Sequence, residues 1–301
     1  MSAPAIGRRG DRLVHALTAA AVLVVLLFLL GLLGMVVAEG APALSLEFLT
    51  AAPTGDMAGG GVWPAIYGTL VMTLLMTAAV TPVGVATAIY LSEYAPRGSR
   101  WAKLIRVAVA NLAGVPSVVF GLFGLGFFVL FVGASMDQLA GLERPVWGRP
   151  SLLWAALTLS ILTLPVVIVT AEEAMRAVPQ DQREAALALG ASRLQVVLGV
   201  VLPGARAGIA TGLILALSRG AGEVAPILFT GAANFLPELP DDPRDMFMHL
   251  GYHVYALATQ SPNVDAARPL LFATVLVLLA LTLGLNLVAI VLRSRLRRGQ
   301  P

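Results

Sequence analysis

Residues 17–38 read LTAAAVLVVLLFLLGLLGMVVA, twenty-two positions without a charge. Arg8, Arg9 and Arg12 precede the run and Glu39 closes it. About 20 apolar residues are enough for one helix to cross a bilayer, so this stretch predicts a membrane span. A cleaved export signal is the alternative, because Ala41-Pro42-Ala43 offers small residues at a cleavage-like site. The apolar core of such a signal is only about 7–15 residues long, and the length here favours a retained first helix.

The same pattern recurs along the chain. Further apolar runs occupy residues 66–91, 105–133, 152–171, 207–231 and 269–292. Six spans in 301 residues, 58% hydrophobic and 12% charged, exclude a soluble enzyme and a disordered chain. Soluble domains carry about 25% charged residues. The fold expected is all-α, a polytopic bundle of six transmembrane helices, and residues 1–301 form a single transmembrane domain. Cysteine is absent, which removes disulfides and thiolate metal sites.

The basic residues set the orientation. Of the 20, 19 are arginine and one is Lys103. With the N-terminus inside, 15 fall on inner segments, including Arg97, Arg100, Lys103 and Arg106 in the loop after the second run. Four fall outside (Arg144, Arg149, Arg244 and Arg268), and Arg219 lies within a span. Cytoplasmic loops carry the excess of Lys and Arg, so both termini of this multi-pass protein are expected in the cytoplasm.

Several chemistries are missing. Lys103 lacks the glycine-rich approach that a nucleotide-binding phosphate loop requires. Neither G-x-S-x-G nor H-E-x-x-H occurs. Asp245, His249 and His253 are spaced i, i+4, i+8 over an apparently helical stretch, 245–258. A zinc site wants a further ligand, so a solvated helix face is the better expectation, with no metal and no catalytic residue.

Residues 184–203 carry a different signal. Glu184-Ala185-Ala186 is followed by Gly190 and, nine residues on, by Val200-Val201-Leu202-Pro203. This reads as a helix, a glycine turn, a short helix and a proline opening the next span. The pattern resembles the E-A-A-x3-G-x9-I-x-L-P loop of ABC importer permeases, with Val200 in place of isoleucine. The resemblance implies a type I importer permease of the MetI-like fold. It further implies that the loop at about residues 178–203 docks on a separate ATPase subunit through Glu184, Ala185, Ala186, Gly190, Leu202 and Pro203.

Further stretches extend the likeness over about residues 44–292. Phe48-Leu49-Thr50, GGGVWPAIYGT at 59–69, AIYLSEY at 88–94, GVPSVVFG at 114–121 and RGAGEVAPILFT at 219–230 resemble the phosphate transport system permease of the PstA type. Val224 departs from it, since threonine is common there. The family implies half of a pore for inorganic phosphate, a PstC-type partner permease, an ATPase dimer and an external phosphate-binding protein. It implies no cofactor in this chain, because ATP is bound by the partner ATPase. A permease for sulfate, molybdate or phosphonate, or a secondary transporter, is the alternative.

Arg219 and Glu223 are the candidate translocation residues. Counted along the run 207–231, Arg219 falls about 18 Å from either end, and a charge at the centre of a bilayer is costly enough to mark function. Glu223 follows at i+4, and Gly220, Gly222 and Pro226 permit a local break near the two charges. A buried pair that merely locks packing is the competing reading. Two stripes at four-residue spacing complete the picture. Gly204, Gly208, Gly212, Ala216 and Gly220 suit close helix packing, within the chain or against the partner permease. Thr69, Thr73, Thr77 and Thr81 are expected to bond back to their own helix.

Overall fold

The computed structural model describes residues 8–54, 59–96 and 98–298. Arg97 of the basic loop and four residues of the first outer loop lie outside them. The described residues are mainly helical, and two isolated bridges, Pro53 to Gly60 and Ala232 to Phe247, are the β pairings among them. Among the same residues six helices are long and apolar enough to cross a membrane, as the apolar runs predict.

The first span is α1 (Arg8–Gly40). Its apolar side chains are exposed almost all round, as expected where lipid is the solvent. Its outer end is held to the last helix by Glu39 and Arg268, 3.2 Å apart. A short helix, α2 (Leu46–Thr50), is capped by the Ser45 hydroxyl, which accepts from the Phe48 N–H at 3.0 Å. The second span, α3 (Trp63–Ile89), runs on through a π-helical turn at Tyr90–Tyr94.

The third apolar run does not form one helix. It divides into α4 (Arg100–Ala113) and α5 (Ser117–Phe123), and α5 continues through a π-helical stretch (Gly124–Gly133) into α6 (Ala134–Leu139). Gly114-Val115-Pro116 makes the break. Proline disfavours the helical conformation in the residue before it and cannot donate into the preceding turn. Ile105 and Val109 of α4 pack beside Ile168 and Leu164 of the fourth span.

That fourth span, α7 (Leu152–Arg176), is the most buried of the six. α3 and the fifth span pack along it. The amide donors that open a helix have no partner within it. At α7 they are met by the last outer segment: Leu152 donates to the Asp245 carbonyl and Leu153 to that of Pro243, each at 2.8 Å.

The inner segment forms α8 (Gln180–Ala188) and α9 (Arg193–Val196). A π-helical turn at Val197–Val201 leads from α9 into α10 (Leu202–Gly222). The fifth span therefore begins at Arg193 and stops at Gly222, whereas the apolar run implied a helix through residue 231. After α11 (Ile227–Thr230) the outer segment leads to α12 (Leu250–Thr259), which packs on the last span, α13 (Val264–Arg298).

The solvated-face reading of Asp245, His249 and His253 is corrected here. Asp245 lies on a loop, His249 is the N-cap of α12 and only His253 is inside the helix. Both imidazoles are buried. Burial pushes His249 down to about 3 and His253 to about 4, so both are neutral. The His249 Nδ1 accepts from the Gly251 N–H at 3.1 Å. Among the described residues no group of three or more His, Asp or Glu could hold a metal ion.

Candidate functional site

The glycine stripe of α10 fixes where the site sits. A Cβ at Gly204 would crowd Val178, one at Gly208 would meet Ala174, and one at Gly212 would overlap the Thr170 hydroxyl. The stripe is thus an interface within the chain, against α7 and the turn that follows it. At its far end Gly220 abuts Met76 of α3.

Arg219 occupies the last turn of α10. Unpaired carbonyls at a helix C-terminus carry partial negative charge and favour a cation there. The next residues leave the helix: Glu223 is extended, with φ −78° and ψ 133°. Glu223 therefore stands one residue past the helix end, not one turn further along it. Contact survives, with Arg219 Nε 3.4 Å from Glu223 Oε1. The two side chains are 40% and 20% exposed in the isolated chain, so neither is sealed inside it.

Depth follows from a neighbouring contact. Ser218 Oγ accepts from Asn286 Nδ2 of α13 at 3.0 Å. Asn286 lies 14 residues beyond Phe272, whose backbone abuts Gly40 at the outer end of α1. At 1.5 Å per residue that is about 21 Å, inside a membrane whose apolar core is about 30 Å thick. The Arg219 layer thus lies within the membrane, although the helix carrying it ends there.

A second break in an apolar run meets the first. Gly121, one turn after the break at Gly114-Val115-Pro116, lies against Ala225 and Pro226, just after the break in α10. Broken helices of this kind expose backbone polar groups within the membrane and are a recurrent way of building transport sites. The threonine stripe of α3 contributes packing: each hydroxyl of Thr69, Thr73, Thr77 and Thr81 donates to the carbonyl four residues back, at 2.6–2.8 Å. The Thr69 hydroxyl also accepts from the Leu250 N–H at 2.9 Å.

The second candidate surface is the α8–α9 hairpin. Glu184 and Ala185 are exposed, while Ala186 turns inward onto a cluster that includes Met175, Val178, Val196 and Val201. Only one of the two alanines thus leaves a small outward face. Gly190 has φ +85° and closes the helix, with its N–H donating to the Leu187 carbonyl at 2.9 Å. α9 opens with a capping box between Ser192 and Gln195. Leu202 and Pro203 belong to the first turn of α10, and Leu202 packs onto the same cluster as Ala186. They support the hairpin from behind.

Three residues that the sequence reading passed over complete this surface. Leu189, at the tip, is 90% exposed. Arg183 is held on three sides: it donates to Glu93 Oε1 at 3.1 Å, to the Met175 carbonyl at 2.7 Å and to the Val178 carbonyl. Glu93 closes α3, and the pair is nearly buried at 11% and 13% exposure. Arg183 thereby ties α8 to the inner ends of both α3 and α7. Glu93 was legible within the AIYLSEY stretch, but nothing local pointed to its partner 90 residues away.

A substitution tests the turn. No atom lies within 4 Å of a Cβ placed on Gly190, so only the backbone opposes a side chain there. A β-branched residue at this φ costs about 1–3 kcal/mol, while asparagine tolerates it better. Gly190→Val is expected to lower substrate uptake and ATPase stimulation several-fold with membrane abundance intact, and Gly190→Asn to keep most of both. Unchanged uptake and stimulation in Gly190→Val would remove the hairpin from coupling.

Residues 80–298 match the family described as binding-protein-dependent transport system inner membrane component. Among curated proteins, a probable ABC transporter permease protein, YqgI of Bacillus subtilis, is 32% identical over 85% of this chain and 86% of its own. The phosphate transport system permease protein PstA of Yersinia pestis is 35% identical over 75% of this chain and 72% of its own. A solved chain of the bacterial alginate ABC transporter, in complex with an alginate pentasaccharide-bound periplasmic protein, superposes with a TM-score of 0.67 at 19% identity, covering 93% of each chain. At that identity the likeness speaks for the fold.

Proposed function

The chain belongs to the family of binding-protein-dependent transport system inner membrane components, and from that premise we propose that it forms half of the pore of an ATP-driven importer of inorganic phosphate. It is an ABC importer permease subunit of the PstA type, set in the inner membrane by several spans. The observation that carries the phosphate reading is the Arg219–Glu223 pair at the intramembrane break after α10. Curated phosphate permeases 33–35% identical over about three quarters of the chain support it.

The proposed mechanism follows from that pair. A guanidinium presents a planar fork of donors that matches two oxygens of a phosphate. Glu223 holds Arg219 while no anion is present and yields it when one arrives. This restrains the cation without fixing it, because the contact is a single long one made outside the helix. ATP is bound and hydrolysed by a separate ATPase dimer, against which the α8–α9 hairpin docks with Leu189 and Glu184 outermost. A PstC-type permease supplies the other half of the pore, and an external phosphate-binding protein delivers the anion.

The outer segment 231–268 is proposed as the docking surface for that binding protein. It holds Glu238, Asp241, Asp242, Asp245 and Asp265 against Arg244 and Arg268, a balance that repels a free anion. Hydrogen bonds from the Arg244 side chain hold the Asp242 carboxyl down at about 2, so the clamp contributes stability above the usual carboxylate value, lost only as pH falls through about 2. With both termini inside, a cysteine at Asp242 should react with an impermeant thiol reagent added to intact cells. Reaction only after the cytoplasmic face is opened would invert the topology.

The direct test is uptake by the purified complex with its binding protein. Radiolabelled phosphate should enter only with ATP, and sulfate, molybdate and phosphonate should compete poorly. Preferential transport of one of these would assign another oxyanion. Uptake that collapses with an uncoupler and ignores ATP would make the chain a secondary transporter.

A further inference from the structure

Two adjoining cavities lie on the side of α4 that faces the inner end of α7. One, of about 450 Å³, is lined by Ser99, Lys103, Arg106 and Arg176. The other, of about 260 Å³, is lined mainly by Val109, Ala110, Ile168 and Val169. They share Leu91, Arg106 and Arg176, so they form one cleft with a polar part and an apolar part. The order along α7 gives the direction. Ile168 and Val169 lie toward the membrane interior and Arg176 ends the helix, so the cleft is charged at its mouth and oily beneath.

The charges in the cleft are largely arranged. Glu172 Oε1 accepts from Arg106 at 2.9 Å and from Arg176 at 2.6 Å, which holds both guanidiniums at the mouth. Arg106 also donates to the Leu91 carbonyl at 3.0 Å. Lys103 is exposed, and Glu173 lies at the rim. Three cations face two carboxylates, which leaves the mouth positive. On the opposite face of α4 Trp101 is 71% exposed and Leu104 55%. An exposed tryptophan beside basic residues is the usual arrangement at the boundary between headgroups and acyl chains.

We infer that this cleft seats an anionic phospholipid, its headgroup phosphate between Lys103 and Arg176 and one acyl chain along Val109, Ile168 and Val169. A free phosphate ion would use only the mouth, and the apolar floor distinguishes the two sources. Basic pockets between helices at the cytoplasmic boundary favour anionic headgroups. The site lies away from the Arg219 layer and does not depend on which anion is transported.

The test uses the whole chain in nanodiscs of brominated phosphatidylglycerol or brominated phosphatidylcholine. The probe is an Ala110→Trp substitution on the cleft lining in a chain that also carries Trp101→Phe, and its signal is taken as the difference from Trp101→Phe alone. Phosphatidylglycerol should quench it at several-fold lower mole fraction than phosphatidylcholine. Each basic residue near an anionic surface is worth about 1 kcal/mol, roughly five-fold, so Lys103→Gln should raise the required fraction about five-fold. Lys103 makes no ion pair among the described residues, which guards the variant against misfolding. Arg176→Gln should act in the same direction. Equal quenching of the probe by the two lipids, or quenching unaltered by both variants, would overturn the inference. Relief of quenching by millimolar inorganic phosphate would also overturn it and reassign the mouth to the free ion.

Discussion

Phosphate uptake should fall to about a hundredth or less when Arg219 is replaced by alanine, with the assembled complex still present in the membrane. Two charge-assisted hydrogen bonds from one guanidinium are worth about 1.5–3 kcal/mol each, and every 1.4 kcal/mol is about tenfold. Arg219→Lys should recover little, since an ammonium restores the charge but not the fork. Glu223→Gln alone should also slow uptake, because Arg219 then lacks the group that takes it back from the anion. The packing interpretation expects something else. A buried ion pair can often be exchanged for apolar residues of similar volume at little cost, so an Arg219→Met, Glu223→Gln double variant would transport normally. Normal uptake, scaled to complex abundance, would return the pair to a structural role. The 40% exposure of Arg219 in the isolated chain argues against that outcome, because a pair that served only to lock helices would be enclosed by them.

Arg183→Met should separate ATP hydrolysis from transport. The change leaves Glu93 nearly buried without its cation and strips donors from the Met175 and Val178 carbonyls. Breaking one side of such a pair costs about 3–5 kcal/mol. That strain falls where α8 is tied to the ends of α3 and α7, so the hairpin should lose its fixed position relative to the spans. Uptake should drop at least tenfold, while the ATPase still associates through the exposed tip at Leu189. A Glu93→Gln, Arg183→Met double variant should recover part of the loss, since no unpaired carboxylate remains. Wild-type uptake and coupling ratio in Arg183→Met would show that the hairpin is positioned by its apolar cluster alone.

The membrane spans were legible because lipid imposes a requirement that composition alone can meet. A helix that satisfies its own backbone needs only length and apolar side chains, so residues 17–38 and 152–171 announce themselves. The hairpin was legible for a local reason as well. Gly190 and the Ser192–Gln195 box act within a few residues of one another. The interruption of the third run was not legible, because residues 105–133 are apolar throughout most of their length and hydropathy does not distinguish a continuous helix from one broken at Gly114-Val115-Pro116. The break at Gly222 was legible from Gly220, Gly222 and Pro226, which disfavour a continuing helix. The histidines failed for a related reason. The spacing i, i+4, i+8 was read as one helix face, but α12 begins only at Leu250 and its flank is covered by residues from elsewhere in the chain.

By itself the sequence determined an all-helical membrane protein, its basic-residue asymmetry, the hairpin and the Arg219–Glu223 spacing, because each rests on local backbone chemistry or on composition. Tertiary structure alone decided that the breaks in two apolar runs meet at Gly121 and Pro226, that the glycine stripe faces α7, and that Arg183 finds Glu93. These depend on which surfaces come together after the helices form. Contacts between residues 90 or more positions apart are set by shape complementarity among many side chains at once, and no short stretch of the chain encodes them.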